Sequence, residues 1–82
     1  MQTYETQMVR AYERGLARGS NDLAYGIHTD SPLSGEWATE SISELLGDII
    51  NEIEEQDRED VCSDLFENYE EGYAVANQKD QD

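Results

Sequence analysis

"SISELLGDIINEIEEQDREDVCSDLFENYE" occupies residues 41–70, and its reading decides the fold. Ile42, Leu45, Leu46, Ile49 and Ile53 recur at spacings of three and four, with Ile50 widening the row. That period predicts an amphipathic helix lying on a core. "SISE" has the form of a capping box, so the helix is expected to begin near Ser41, with Glu44 reaching back to it. A second apolar row, Val61, Cys62, Leu65, Phe66, Tyr69, Tyr73 and Ala76, predicts another helix. Between the two, "EEQDRED" holds neither glycine nor proline. It either continues one long helix or turns. A turn near Gln56 and Asp57, with Asp57 as N-cap of the next helix, is favoured because it lets both apolar rows meet as a helical hairpin.

Toward the N-terminus, Tyr4, Met8, Tyr12 and Leu16 recur every fourth residue and predict a first helix. Arg10, Arg14 and Arg18 then fall on its opposite face, and Gly19-Ser20 is its expected stop, with a longer helix to about Tyr25 as the alternative. Residues 19–38 are the least regular stretch, punctuated by Gly26, Pro32 and Gly35, with Tyr25, Leu33 and Trp37 as expected packing anchors. The prediction is an all-α, small three-helix domain with a long irregular connection between helices one and two. It spans 1–77, and 78–82 form a polar tail expected to be disordered.

Glycine adds one further expectation. "AYERGLA" (11–17) and "NYEEGYA" (68–74) share Tyr-Glu-x-Gly-x-Ala, and in both the glycine falls on the apolar side of its helix. Glycine weakens a helix, so its presence there predicts a close approach of helices one and three at Gly15 and Gly72, with chance similarity as the alternative. Gly47 costs its helix ~1 kcal/mol relative to alanine and is read as a possible contact point as well.

The composition narrows the function. Eighty-two residues carry twenty acids against five bases, a net charge of −15. Such a chain repels nucleic acid and anionic lipid, so a macromolecular partner is expected to present a basic surface. No segment approaches the length of a membrane span, and the start has no apolar core of a signal peptide. One cysteine, Cys62, excludes an intrachain disulfide and fits a reducing compartment. On its apolar row it reads as a small hydrophobe. His28 is the only histidine, with Asp30 and Ser31 beside it, but a triad needs groups oriented in space, and His28 is read as a loop residue. "DREDVCSDLFEN" fails the calcium-loop pattern because Val61 and Cys62 stand at its fifth and sixth places. No phosphate-binding glycine loop is present. An enzyme, a cofactor and a specific metal site are therefore not expected.

The placement of charge is more informative. Asp57, Asp60, Asp64, Glu67 and Glu71 step by three and four along helix three, and Glu44, Asp48 and Glu52 step by four along helix two. Like charges at these spacings destabilise a helix by ~0.2–0.5 kcal/mol per pair. Fourteen acids and one arginine lie between Glu36 and Glu71. Over two adjacent helices ~23 Å long this is about one charge per ~1.8 Å, close to the ~1.7 Å of duplex DNA. If the two rows form one surface, imitation of a phosphate backbone is favoured. If they point apart, a solvated acidic face is the simpler account. A salt-adapted composition is a rival explanation, and pairing of the three arginines with a second copy would give a homodimer.

"SPLSGEWA" (31–38), flanked by "AYERGLARGSND" and "YEEGYAVA", resembles a segment of small acidic bacteriophage proteins, particularly those of actinobacterial hosts. The resemblance implies a phage product acting in a host cytoplasm. Small acidic phage proteins include DNA mimics that block restriction enzymes, CRISPR effectors or nucleoid proteins, an analogy of class. The expected function is a non-enzymatic inhibitor of a host protein with a basic, nucleic-acid-binding surface, contacted through Glu44, Asp48, Glu52, Asp57, Asp60, Asp64, Glu67 and Glu71. The alternative is a homo-oligomeric adaptor that docks through Trp37 and Tyr25, with the acids serving solubility.

Overall fold

A computed structural model describes residues 4–27 and 36–77. It contains three helices, α1 (Glu5–Ala24), α2 (Glu36–Ile49) and α3 (Arg58–Ala76), and among the described residues no strand. The chain does turn between α2 and α3, through residues 50–54 and a single 3-10 turn, Glu55–Asp57. Asp57 precedes α3 but its side chain makes no capping bond, because its backbone is already in the right-handed helical region (φ −95, ψ −10). Arg58 instead reaches back across the turn and donates to Ile50 O at 3.5 Å.

Two helix boundaries differ from the sequence reading. α1 runs through Gly19 to Ala24, so the longer alternative holds. Gly19 is buried against α3, where a Cβ would lie 2.6 Å from Tyr73 O, and the helix is carried past it by that packing. The real stop is Gly26, at φ +72. Ile27 N donates to Asp22 O at 2.7 Å and Gly26 N to Leu23 O at 3.0 Å, the paired bonds of a Schellman ending. α2 begins five residues earlier than its capping box suggested. Ala38 lies one turn before Ile42 on the same row and is fully buried, so the core draws the helix back to Glu36 and leaves Ser41 buried inside it. The connection between α1 and α2 thus shrinks to 25–35, and of its expected anchors Leu33 lies outside the described residues.

Contacts along α1 rise in step with α3: Met8 meets Asn68, Gly15 meets Tyr69, and Gly19 meets Tyr73 and Asn77. These two helices are therefore parallel. Along α2 they fall: Gln7 bonds Leu45 O, Arg14 pairs with Glu44, and Arg18 lies over Trp37, so α2 is antiparallel to α1. The core where the three meet holds Ala11, Ala38, Ile42, Leu45, Ile49, Ile53, Val61, Leu65 and Tyr69.

The buried row of α1 is Gln7, Ala11, Gly15, Gly19 and Asp22, while Tyr4, Met8, Tyr12 and Leu16 are only half-buried at its side. Small residues take the centre because the α1 and α3 backbones touch there. A Cβ on Gly15 would lie 2.8 Å from Tyr73 N and nearer still to Tyr69 O. A Cβ on Gly72 would lie 3.1 Å from Leu16 N and nearer still to Tyr12 O. Tyr12, Gly15 and Leu16 stand where Tyr69, Gly72 and Tyr73 stand in the repeated motif, so exchanging the two copies maps one set of contacts onto the other. A twofold axis between parallel helices has this property. The short sequence echo is the two halves of one reciprocal crossing, as expected for Gly15 and Gly72. Gly47 differs: nothing lies within 4 Å of where its Cβ would be, so it marks no contact.

Candidate functional site

All eight acids singled out from the sequence are exposed. Glu52 is not on α2 but in the turn that follows it, where its carbonyl accepts from Tyr4 Oη at 3.3 Å. The α2 row therefore reduces to Glu44 and Asp48, preceded by Glu40. Glu44 is already engaged: Arg14 donates to its two carboxylate oxygens at 2.9 and 3.4 Å. That hydrogen bond, and then the guanidinium charge, hold its carboxyl below the usual range.

The arginines do not line the solvent side of α1 as a separate row. Arg14 and Arg18 are half-buried on the flank that meets α2. Arg18 is held between Asp22, its Nε 3.3 Å from Oδ1, and the ring of Trp37, with 4.7 Å from guanidinium carbon to ring centroid. Asp22 is buried and also accepts from Tyr73 Oη at 2.6 Å. Burial first, then this bond, pushes the Tyr73 hydroxyl up to about 12. Two of the arginines are thus satisfied within one chain, which weakens the expectation that they hold a second copy.

Asp57, in the turn just before α3, and Asp60, Asp64, Glu67 and Glu71 on it form no ion pair among the described residues. Asp64 lies one turn from Asn68, whose amide donates to Met8 Sδ at 3.5 Å, and Glu71 adjoins Gly72, which abuts Tyr12 O. Cys62 and Phe66, on the other flank of α3, pack against the core. The α3 acids therefore border α1 on the side away from α2, whereas Glu44 borders α1 on the side facing α2. The two acidic rows are separated by α1 and its arginines and do not merge.

The simplest role for some of these acids is structural. Asp57, Glu59 and Asp60 stand at the α3 N-terminus, where the helix dipole favours negative charge. That account does not extend to Glu67 and Glu71 in the second half of α3, nor to Asp48 beside the end of α2. No helix carries a base in its last turn.

Trp37 and Tyr25 are not core anchors: they are 54% and 76% exposed. Both lie at the end of the bundle where α1 and α3 finish and α2 starts, with Asn77 Nδ2 tying Gly19 O to Ile27 O there. Cys62 is half-buried and its thiol is pushed up by that burial, the behaviour of a packed small residue. His28, Asp30, Ser31 and most of the "SPLSGEWA" segment lie outside the described residues. Among the described residues no helix is long and apolar enough to cross a membrane, and no cluster of three potential metal ligands occurs. Comparison with protein-family models, curated proteins and solved structures found no match.

Proposed function

We propose that this chain is a non-enzymatic binding protein whose α3 acidic face occupies the basic, nucleic-acid-binding surface of another protein. In the phage setting its sequence resembles, it would act as an inhibitor of a host factor. The observation that carries this reading is that the α3 acids run along most of the helix, exposed and without ion-pair partners among the described residues. They are maintained against the self-repulsion of a chain that carries −15.

The separation of the two rows, which on its own favours a solvated acidic face, removes a two-row imitation of a duplex and leaves the α3 row alone to carry the mimicry. Five acids from Asp57 to Glu71 span ~21 Å, or about one charge per ~5 Å. This is sparser than a DNA duplex and nearer the ~3.4 Å spacing of one strand. The α3 face therefore suits a groove that tracks a single phosphate backbone better than one that encloses a duplex.

The test is competition. A nucleic-acid-binding protein captured from host lysate should release its nucleic acid as the chain is added, and capture should weaken steeply between about 50 and 500 mM salt. A variant with Asp60→Asn, Asp64→Asn, Glu67→Gln and Glu71→Gln should fail to compete. Undiminished competition by that variant would sink the reading. The adaptor reading is supported by the exposure of Trp37 and Tyr25 at one end of the bundle; Trp37→Ala or Tyr25→Ala abolishing capture, with the charge variant indifferent, would favour it instead.

A further inference from the structure

The α1–α3 crossing leaves one face of α1 turned away from α2, and that face is apolar. Val9 and Leu23 are 56% and 37% exposed, and Leu16 is half-buried between them. The three stand seven residues apart, so they form a nearly straight row ~21 Å long. Val75, 47% exposed, stands one turn beyond Glu71 on the neighbouring flank of α3. Aliphatic residues seven apart fall on one line along a helix, where a second helix can pack. Leu16, on the apolar row that predicts α1, lies beside the crossing with α3 and not at its centre. The glycine crossing opened it by placing Ala11, Gly15 and Gly19 at the centre.

We propose that this seam docks a basic amphipathic helix of the partner protein, with aliphatic residues at heptad spacing and Lys or Arg on both flanks. Charge complementarity selects that occupant. Exposed Glu13 borders the row on one side, and exposed Asp64 and Glu71 border it on the other. In coiled coils the corresponding flanking positions choose the partner by charge. A second copy would bring the same three acids against themselves, and another −15 with them. The proposal rests on the reading of the α3 acids as a binding face, and it adds the apolar half of the recognition.

The experiment uses two labelled peptides of about eighteen residues, ~27 Å as helices. One is a Leu/Lys peptide with leucine at heptad positions, and the other is oligolysine. Binding to the full chain is read by fluorescence anisotropy. The Leu/Lys peptide should bind at least about tenfold tighter than oligolysine. The variant Val9→Ser/Leu23→Ser/Val75→Ser should erase that advantage and leave oligolysine affinity unchanged, while Asp64→Asn/Glu71→Gln should weaken both. Helicity is checked by circular dichroism, and Val9→Ser alone, expected to cost about threefold, serves if the triple variant fails to fold. Equal binding of the two peptides, or indifference to the serine variant, overturns the seam and leaves the acidic-face reading standing. Indifference of both peptides to Asp64→Asn/Glu71→Gln overturns both. A dimer of the chain alone that the serine variant returns to monomer would give the seam to a second copy and overturn the proposal.

Discussion

Replacing Gly15 with alanine tests the contact on which the whole arrangement rests. Its Cβ would lie 2.8 Å from Tyr73 N and 2.9 Å from Tyr69 C, with Tyr69 O closer still, against an ordinary contact distance of 3.4 Å or more. All three atoms are α3 backbone and cannot rotate aside. The helices must separate by on the order of 1 Å, which loosens the reciprocal contact at Gly72 and the packing of Ala11, Leu65 and Tyr69. Overpacking of this kind costs roughly 1–3 kcal/mol, occasionally more. The intrinsic helix preference of alanine returns ~1 kcal/mol. Gly47→Ala isolates that return, because its Cβ meets nothing within 4 Å. We expect Gly47→Ala to raise stability by ~1 kcal/mol, or roughly 4–8 °C in Tm for a domain this small, and Gly15→Ala to give no such gain and to lower stability by up to about 2 kcal/mol. Thermal and urea unfolding followed at 222 nm reads both. In Gly15→Ala/Gly72→Ala the losses should sum to less than their total, since helices already forced apart admit the second methyl. Equal stabilisation by Gly15→Ala and Gly47→Ala would refute the close crossing.

The buried groups and the charge give four more outcomes. Tyr73 has its hydroxyl pushed up to about 12 from an ordinary value of 10.0, so the folded state holds the proton more tightly than the unfolded one. Its contribution is complete below about pH 10 and is lost as pH rises toward about 12; Tyr73→Phe should flatten that alkaline limb of a stability–pH curve while lowering stability at neutral pH, because Asp22 loses a partner. No group among the described residues hydrogen-bonds the buried Tyr69 hydroxyl, so Tyr69→Phe should raise stability by ~1 kcal/mol, and a comparable loss in urea unfolding would show that the hydroxyl is satisfied. Added salt should raise Tm by screening the net −15, and Glu44→Gln should leave Tm nearly unchanged because the Arg14–Glu44 pair is open to solvent; a Tm that falls with salt would mean that ion pairs outweigh self-repulsion.

The existence of three helices was legible because each has a strong apolar period, and the turn before α3 was legible because only a turn lets two such rows meet. The buried row of α1 was not. Periodicity picks the largest apolar side chains, Tyr4, Met8, Tyr12 and Leu16, whereas a backbone-to-backbone crossing selects the smallest, Ala11, Gly15 and Gly19. The Tyr-Glu-x-Gly-x-Ala echo held the better clue to that contact. The start of α2 was misplaced because "SISE" satisfies a local capping rule that Ala38 overrides by entering the core. The acidic rows were legible residue by residue. Their separation was not, since it depends on which flank of α1 each neighbour takes. The arginine pairings with Glu44 and Asp22, and the exposed Val9–Leu16–Leu23 row, are hidden from sequence for the same reason.

Gly15 lies close against the backbone of Tyr69 and Tyr73, which follow it far along the chain. While α3 is still missing, α1 emerges with its glycine row bare and α2 has only half of its core to bury against. Closing so long a loop precedes any gain from the crossing, so folding is a late and nearly all-or-none event. A chain truncated before Gly72 is not a smaller version of this domain but an acidic polymer without one. α3 therefore decides whether α1 has a structure at all.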